Sequence, residues 1–202
     1  MPKVQDLSSF RVPPGFRGRS AIVVQLWWIV QATLFRLSPQ VLYGFRNLLL
    51  RLFGARIGKG VLIRPSARIT YPWHLEIGDH CWVGDDSVLY NLGKITIGND
   101  VAIAHRVYLC AGLHDYEDPQ FSIAASPITI EDEVWLPNDI FVGPGVTIGR
   151  GCVVGARSTV LRDLPEMMLC AGYPAKPIRP RLAPRDDIRE ASHPEQVCAL
   201  QD

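Results

Sequence analysis

The chain has 202 residues, 48% hydrophobic and 20% charged, with a formal net charge of +1. That length suits one domain with a sizeable core, and the charge gives no footing for nucleic acid or a strongly acidic partner. The five cysteines follow neither a metal-site nor a disulfide spacing, so no metal is expected. Cys81 and Cys152 read as small apolar core filler, which fits a reducing, cytoplasmic compartment.

Residues 1–19 read as an extension. An apolar run follows from Ala21 to Leu37, carrying Trp27, Trp28 and Phe35 and bracketed by Arg19 and Arg36. Ser38-Pro39 stops it. Val41 to Phe53 reads as a second helix, with Leu42, Phe45, Leu49 and Phe53 on one side, Arg46 and Arg51 available for the other, and Gly54 as its end. The first run falls short of the ~20 residues of a membrane span. It starts too far along the chain, without a convincing cleavage site, for a signal peptide. Residues 20–54 therefore read as a helical cap over the open end of a repeat structure, or as a surface packed on a neighbouring subunit. The tryptophans and flanking arginines also suit a peripheral membrane contact through 21–37 on the cytoplasmic face.

From residue 55 a six-residue beat takes over. Ile57, Ile63 and Ile69 form one aliphatic triplet; Ile77, Val83 and Leu89 the next; then Ile97, Ile103 and Leu109; Ile130, Leu136 and Val142; and Ile148, Val154 and Val160. A strand has period two and a helix 3.6, so neither alone gives a step of six. A triangular coil does: each step lays one short strand and one corner, and three steps close a turn. A further inward position lies four residues after each of many leading aliphatics, at Val61, Cys81, Val101, Val134 and Cys152, and at Ala67, Ser87, Val107, Ile140 and Ser158. Residues 55–165 are thus expected to form a mainly β, left-handed parallel β-helix of about five coils, a prism roughly 24 Å tall at the usual strand spacing.

Leu109 to Ile130 spans twenty-one residues where regular steps would need six. One long loop, 110–127, must leave the prism there, and a long excursion from a compact repeat is a place to look for function. It is acidic and aromatic and carries His114. Beyond Val160, Asp163-Leu164-Pro165 is expected to break the coil, with 166–181 as a Pro-rich cap whose prolines prevent further regular pairing. Residues 182–202 read as a polar, disordered tail.

The hexads, the segment Gly112-Leu113-His114-Asp115-Tyr116-Glu117-Asp118-Pro119, the stretch Pro127 to Trp135, the run Val142 to Gly149 and the ending Ala171-Gly172-Tyr173-Pro174-Ala175 resemble the hexapeptide-repeat O-acetyltransferases. The group includes galactoside, maltose and nodulation-factor enzymes. Ile63-Arg64-Pro65-Ser66, Tyr71-Pro72-Trp73 and Tyr90-Asn91-Leu92-Gly93 bring the likeness nearest to the colanic-acid-biosynthesis type. The resemblance covers about residues 20–181. It implies transfer of an acetyl group from acetyl-CoA to a sugar hydroxyl of a bacterial exopolysaccharide or its lipid-linked unit, in a homotrimer with sites between adjacent prisms.

A sugar hydroxyl is a poor nucleophile near neutral pH and needs a base as it attacks a thioester; histidine suits that task. The resemblance points to His114 as that base, oriented by Asp115, Glu117 or a backbone carbonyl, and to the Asn138 amide as the oxyanion donor. It places Asn91, Asp115, Tyr116 and Trp135 near the acceptor, although Asn91 also reads as a turn residue and Trp135 as trimer packing. Trp135, Asn138 and Ala156 would line the coenzyme arm, and Arg157, Arg162, Lys176, Arg179 and Arg181 are candidates for its phosphates or for plain solvated charge. One departure stands out. Pro137 occupies a corner where relatives often carry glycine, and it offers no N–H. Two other readings compete: a γ-type carbonic anhydrase, which needs a closer histidine pair than His105 and His114 provide, and a non-catalytic solenoid scaffold.

Overall fold

The computed structural model describes residues 3–182. Helix α1 spans Ala21–Val30, capped by Ser20, and runs on as a π turn, Gln31–Phe35; helix α2 spans Tyr43–Leu52. The chain then winds into a three-faced parallel β-helix. The first face stacks Arg56–Ile57, Leu75–Ile77, Ile95–Ile97, Ile128–Ile130 and Thr147–Ile148. The second stacks Leu62–Ile63, Trp82–Val83, Ala102–Ile103, Trp135–Leu136, Val153–Val154 and Met168–Gly172; the third stacks Arg68–Ile69, Val88–Tyr90, Tyr108–Cys110, Phe141–Val142 and Thr159–Val160.

Residues six apart point the same way into one narrow shaft, and every member of the five triplets is buried. So are the ten secondary inward positions. Burying a Val, Leu or Ile side chain is worth about 1.5–3 kcal/mol, so the triplets supply most of the drive for winding. The corners are bonded in columns. Lys59 N–H donates to Asp79 Oδ1 (2.7 Å), Asp79 N–H to Asn99 Oδ1 (2.9 Å) and Asn99 N–H to Asp132 Oδ1 (2.6 Å). Gly78 beside this column has no alternative, since a Cβ there would lie 2.7 Å from the Gly98 carbonyl.

The winding goes on past the expected break. Leu164 bridges Ile148 in parallel, and Met168–Gly172 adds to the second face beside Val153–Val154, giving about six turns. Ala175–Pro180 then pairs antiparallel with Met168–Gly172, with Pro177 opposite Cys170 and Pro180 opposite Met168. The prolines do not prevent pairing because this is an edge strand, where a missing N–H costs no ladder bond on its open side. The expectation of a disordered tail over 182–202 falls, apart from Leu182, outside the described residues.

The helices cover the first coil, with α2 turned differently from the sequence expectation. Leu42 and Phe45 stay exposed, while Arg46, Asn47, Leu49 and Leu50 are buried. The reason is the bare edge of the first coil, whose carbonyls lack a preceding strand. Arg46 Nε donates to Ile63 O (2.7 Å), Asn47 Nδ2 to Val61 O (2.8 Å), Arg51 Nη2 to Ile57 O (2.8 Å) and Trp27 Nε1 to Ile69 O (2.8 Å). Gln31, at the π turn, accepts from Ile69 N–H (2.6 Å). The rest of the Arg46 guanidinium bonds Ser38 Oγ, Pro39 O and Gln40 O, and burial lowers its pKa.

Candidate active site

The long loop is a hairpin. Gly112–His114 pairs antiparallel with Ile123–Ala125, setting His114 opposite Ile123 at the corner between the third and first faces. Two of its three carboxylates are spent on its own turns. Asp115 Oδ1 accepts from Glu117 N–H (2.9 Å), and Asp118 accepts from Gln120 N–H (2.9 Å) and Ser122 N–H (3.3 Å). Those bonds, Gln120's first, lower the Asp118 pKa.

His114 is oriented by a backbone carbonyl. Its Nδ1 lies 2.9 Å from Phe121 O, which can only accept. Nδ1 therefore carries a proton, and in the neutral ring the lone pair is on Nε2. The imidazole stacks on the Phe121 ring at 4.2 Å and 7°, and Phe10 of the amino-terminal segment approaches at 5.7 Å. Phe121 has φ +52°, unusual for a bulky side chain; Asp118 O holds it there by accepting its N–H (2.8 Å). Asp6 N–H donates to Pro119 O, tying the amino-terminal segment to the hairpin (2.6 Å).

Asn138 sits at a different corner, between the second and third faces. Corner N–H groups there bond the side chain of the next coil: Asp85 N–H to His105 Nδ1 (3.0 Å), His105 N–H to Asn138 Oδ1 (3.1 Å). Above Asn138 the next rung is Ala156, whose methyl accepts nothing. The Asn138 N–H has no partner among the described residues. Pro137 interrupts the neighbouring column, in which Gly84 N–H reaches Ile103 O and Ala104 N–H reaches Leu136 O. The corner keeps its course regardless, since Arg157 N–H still donates to Asn138 O (3.0 Å).

The second face carries a groove of about 650 Å³ lined by Trp82, Ala102, His105, Glu133, Trp135 and Arg181 among others, one rung from Asn138 at His105. Among the basic candidates, Arg157, Arg162 and Lys176 are exposed. Arg179 Nη1 folds onto Pro180 O. Arg181 is a strut: its Nη1 donates to Glu133 O (2.7 Å) and Gly151 O (3.1 Å). Asn91 is fully buried, and both ends of its amide grip Tyr71, Oδ1 accepting from its N–H (2.9 Å) and Nδ2 donating to its carbonyl (2.6 Å). Tyr116 is 81% exposed at the hairpin tip.

The predicted residues thus fall into two groups. His114, Asp115 and Tyr116 share the hairpin; Trp135, Asn138, Ala156 and Arg157 share the second face and its far corner. One chain does not bring the groups together. The sequence reading missed Phe121 and Phe10. Phe121 lay in view inside the loop, whereas Phe10 had no periodic signal to mark it.

Comparison with known proteins fits this geometry. A family model described as bacterial transferase hexapeptide (six repeats) matches residues 127–162. An Escherichia coli (strain K12) protein provisionally named colanic acid biosynthesis acetyltransferase WcaF is 60% identical over 179 residues, covering 89% of this chain and 98% of that protein. The galactoside O-acetyltransferase of the same organism is 30% identical over 137 residues, 66% of this chain and 68% of the enzyme. Among solved structures, a hexapeptide-repeat acetyltransferase of Vibrio cholerae O1 biovar eltor complexed with acetyl coenzyme A superposes with a TM-score of 0.73 at 26% identity, over 81% of this chain and 91% of that one.

Proposed function

The chain belongs to the hexapeptide-repeat acetyltransferases, and from that premise we propose that it carries the acetyl group of acetyl-CoA to a sugar hydroxyl during the building of a bacterial exopolysaccharide. The acceptor class follows the name of the 60% identical relative. The working unit is a homotrimer, in which the hairpin of one prism reaches the Asn138 corner of the next. That arrangement joins the two groups of site residues that a single chain holds apart.

The observation that carries the reading is the 2.9 Å contact between His114 Nδ1 and the Phe121 carbonyl. With Nδ1–H given to Phe121 O, Nε2 takes the proton of the sugar hydroxyl as its oxygen attacks the thioester carbonyl carbon. The carbonyl electron pair moves to oxygen, and the resulting oxyanion meets the unpaired N–H of Asn138. Collapse breaks the carbon–sulfur bond, and the proton on Nε2 goes to the leaving thiolate. The imidazolium formed midway is held by the Phe121 carbonyl. The groove walled by Trp135 takes the pantetheine arm, with Ala156 leaving room beside it. Arg157, Arg162 and Lys176 are the free cations for its phosphates. Asp115 and Tyr116 border the acceptor at the hairpin tip.

The test is release of free CoA from acetyl-CoA, read with a thiol reagent across a panel of sugar acceptors, with products identified by mass spectrometry. Wild-type protein should acetylate at least one acceptor, and His114→Ala should lose about 10²–10⁴ of that rate. Equal rates for the two proteins would remove His114 from the chemistry and favour the scaffold reading.

A further inference from the structure

The net charge of +1 conceals a division. Residues 7–75 contain no carboxylate and ten Arg or Lys, giving +10 there against −9 over the remainder. This stretch holds both helices and the first coil; Arg46 is buried and Arg56 and Arg64 pair with Glu76 and Asp85, while the exposed Arg19, Arg36 and Arg51 keep the cap end cationic. The same end is apolar. α1 buries Val24 and Trp27 on the coil and leaves Ile22, Leu26 and Ile29 exposed at helical spacing on its outer side. Leu34, Leu37, Val41, Leu48 and Leu52 carry exposed apolar surface onward through the π turn and α2. Ala21, Ile22, Gln25, Leu26 and Ile29 line a shallow hollow of about 420 Å³ there. Arg19 and Arg36 stand at the two ends of the α1 segment, and neither has an ion pair among the described residues. Trp28 is partly exposed between them.

Large apolar side chains exposed in such number on two short helices mark an interaction site. Its occupant must accept hydrocarbon side chains and also satisfy several cations. The α1 segment, ten helical residues plus five in the π turn, is about 22 Å long, short of the ~30 Å hydrocarbon layer, and no helix among the described residues is long and apolar enough to cross a membrane. A second copy docking the same face would set arginine against arginine. We propose that this cap end rests on an anionic phospholipid surface, with both helices in the headgroup plane, their apolar outer sides toward the acyl chains and Arg19 and Arg36 on lipid phosphates. In the side-by-side trimer proposed above, the three caps face the same way and bind together. The surface itself needs no turnover, so it stands or falls apart from the acetyl transfer.

The experiment is co-sedimentation of the full chain with vesicles of phosphatidylglycerol and phosphatidylethanolamine, against vesicles of phosphatidylcholine. Binding should be confined to the anionic vesicles and should weaken as salt rises from about 0.1 M to about 0.5 M. Arg19→Gln and Arg36→Gln should each lower the partition coefficient about fivefold, the equivalent of about 1 kcal/mol per basic side chain at such a surface. Leu26→Glu with Ile29→Glu should lower it at least about tenfold, with the melting temperature and the sedimentation-velocity mass unchanged. No excess binding to anionic vesicles, or full binding by the double variant, overturns the proposal. A changed mass in the double variant also overturns it, in favour of a second copy as the occupant.

Discussion

In an Ala156→Asn variant the new amide stands over Asn138 as the Asn138 amide stands over His105, where N–H and Oδ1 meet at 3.1 Å. The corner column then gains the rung that the wild-type methyl leaves out. One added hydrogen bond from a backbone N–H is worth about 0.5–1.5 kcal/mol net, which for a chain of this size raises the melting temperature by about 1–6 °C. The same bond occupies the donor assigned to the oxyanion, and losing one such donor costs about 10²–10³ in kcat. Stability and catalysis should therefore move in opposite directions. Steady-state CoA release and a thermal melt read the two, and Ala156→Val serves as the size control. Valine adds bulk beside the coenzyme arm without an acceptor, so it should raise KM for acetyl-CoA and leave kcat within about threefold. An Ala156→Asn protein that melts higher yet keeps its kcat would show that the Asn138 N–H takes no part in the transition state.

The remaining predictions address the assembly, the cap and the hairpin. Co-expressing His114→Ala with Ala156→Asn should restore about a quarter of wild-type activity by random mixing in a trimer, because one site in four pairs an intact hairpin with an intact corner; two inactive proteins giving an inactive mixture would place each site within one chain. Arg46→Ala leaves the Ile63 carbonyl without its donor and should cost about 1–3 kcal/mol; hydrogen exchange should rise across 43–52 before it rises across 95–160, and uniform exchange would refute the capping role. Asp118 has a lowered folded pKa, so its contribution to hairpin order is complete above its ordinary value of 3.8 and lost as pH falls through the lower folded value. The amide resonances of Gln120 and Ser122 should then titrate together below pH 3.8, whereas Asp118→Asn should abolish that step.

The winding was legible in the sequence because the interior of a triangular coil is nearly one-dimensional. Position within a six-residue step alone decides whether Ile103 or Trp82 points inward, and no distant element can overrule it. The orientation of α2 was illegible for the opposite reason. Hydropathy assumes an apolar wall, but the wall that α2 meets is a row of carbonyls, which Arg46 and Asn47 satisfy and leucine cannot. The last turn was misread because proline was weighed as a breaker without knowing that its strand lies at an edge. In the site, His114 stood out as the histidine of the long loop. Its partner did not, because the Phe121 carbonyl is backbone and every residue carries one. The bare Asn138 N–H became visible only when the register set Ala156 above it.

The two ends of the prism are sealed by unlike means, side-chain donors from helices at one and a proline-bearing edge strand at the other. A stack of parallel coils left open at both ends would be a template for its own elongation, each molecule continuing the ladder of the last into a filament. Among the described residues, the first coil at the cap end offers carbonyls already taken by side-chain donors, so it does not extend the ladder of another copy. The helices give the spiral a defined start, so a copy arriving end-on at the cap would meet side chains and no open ladder.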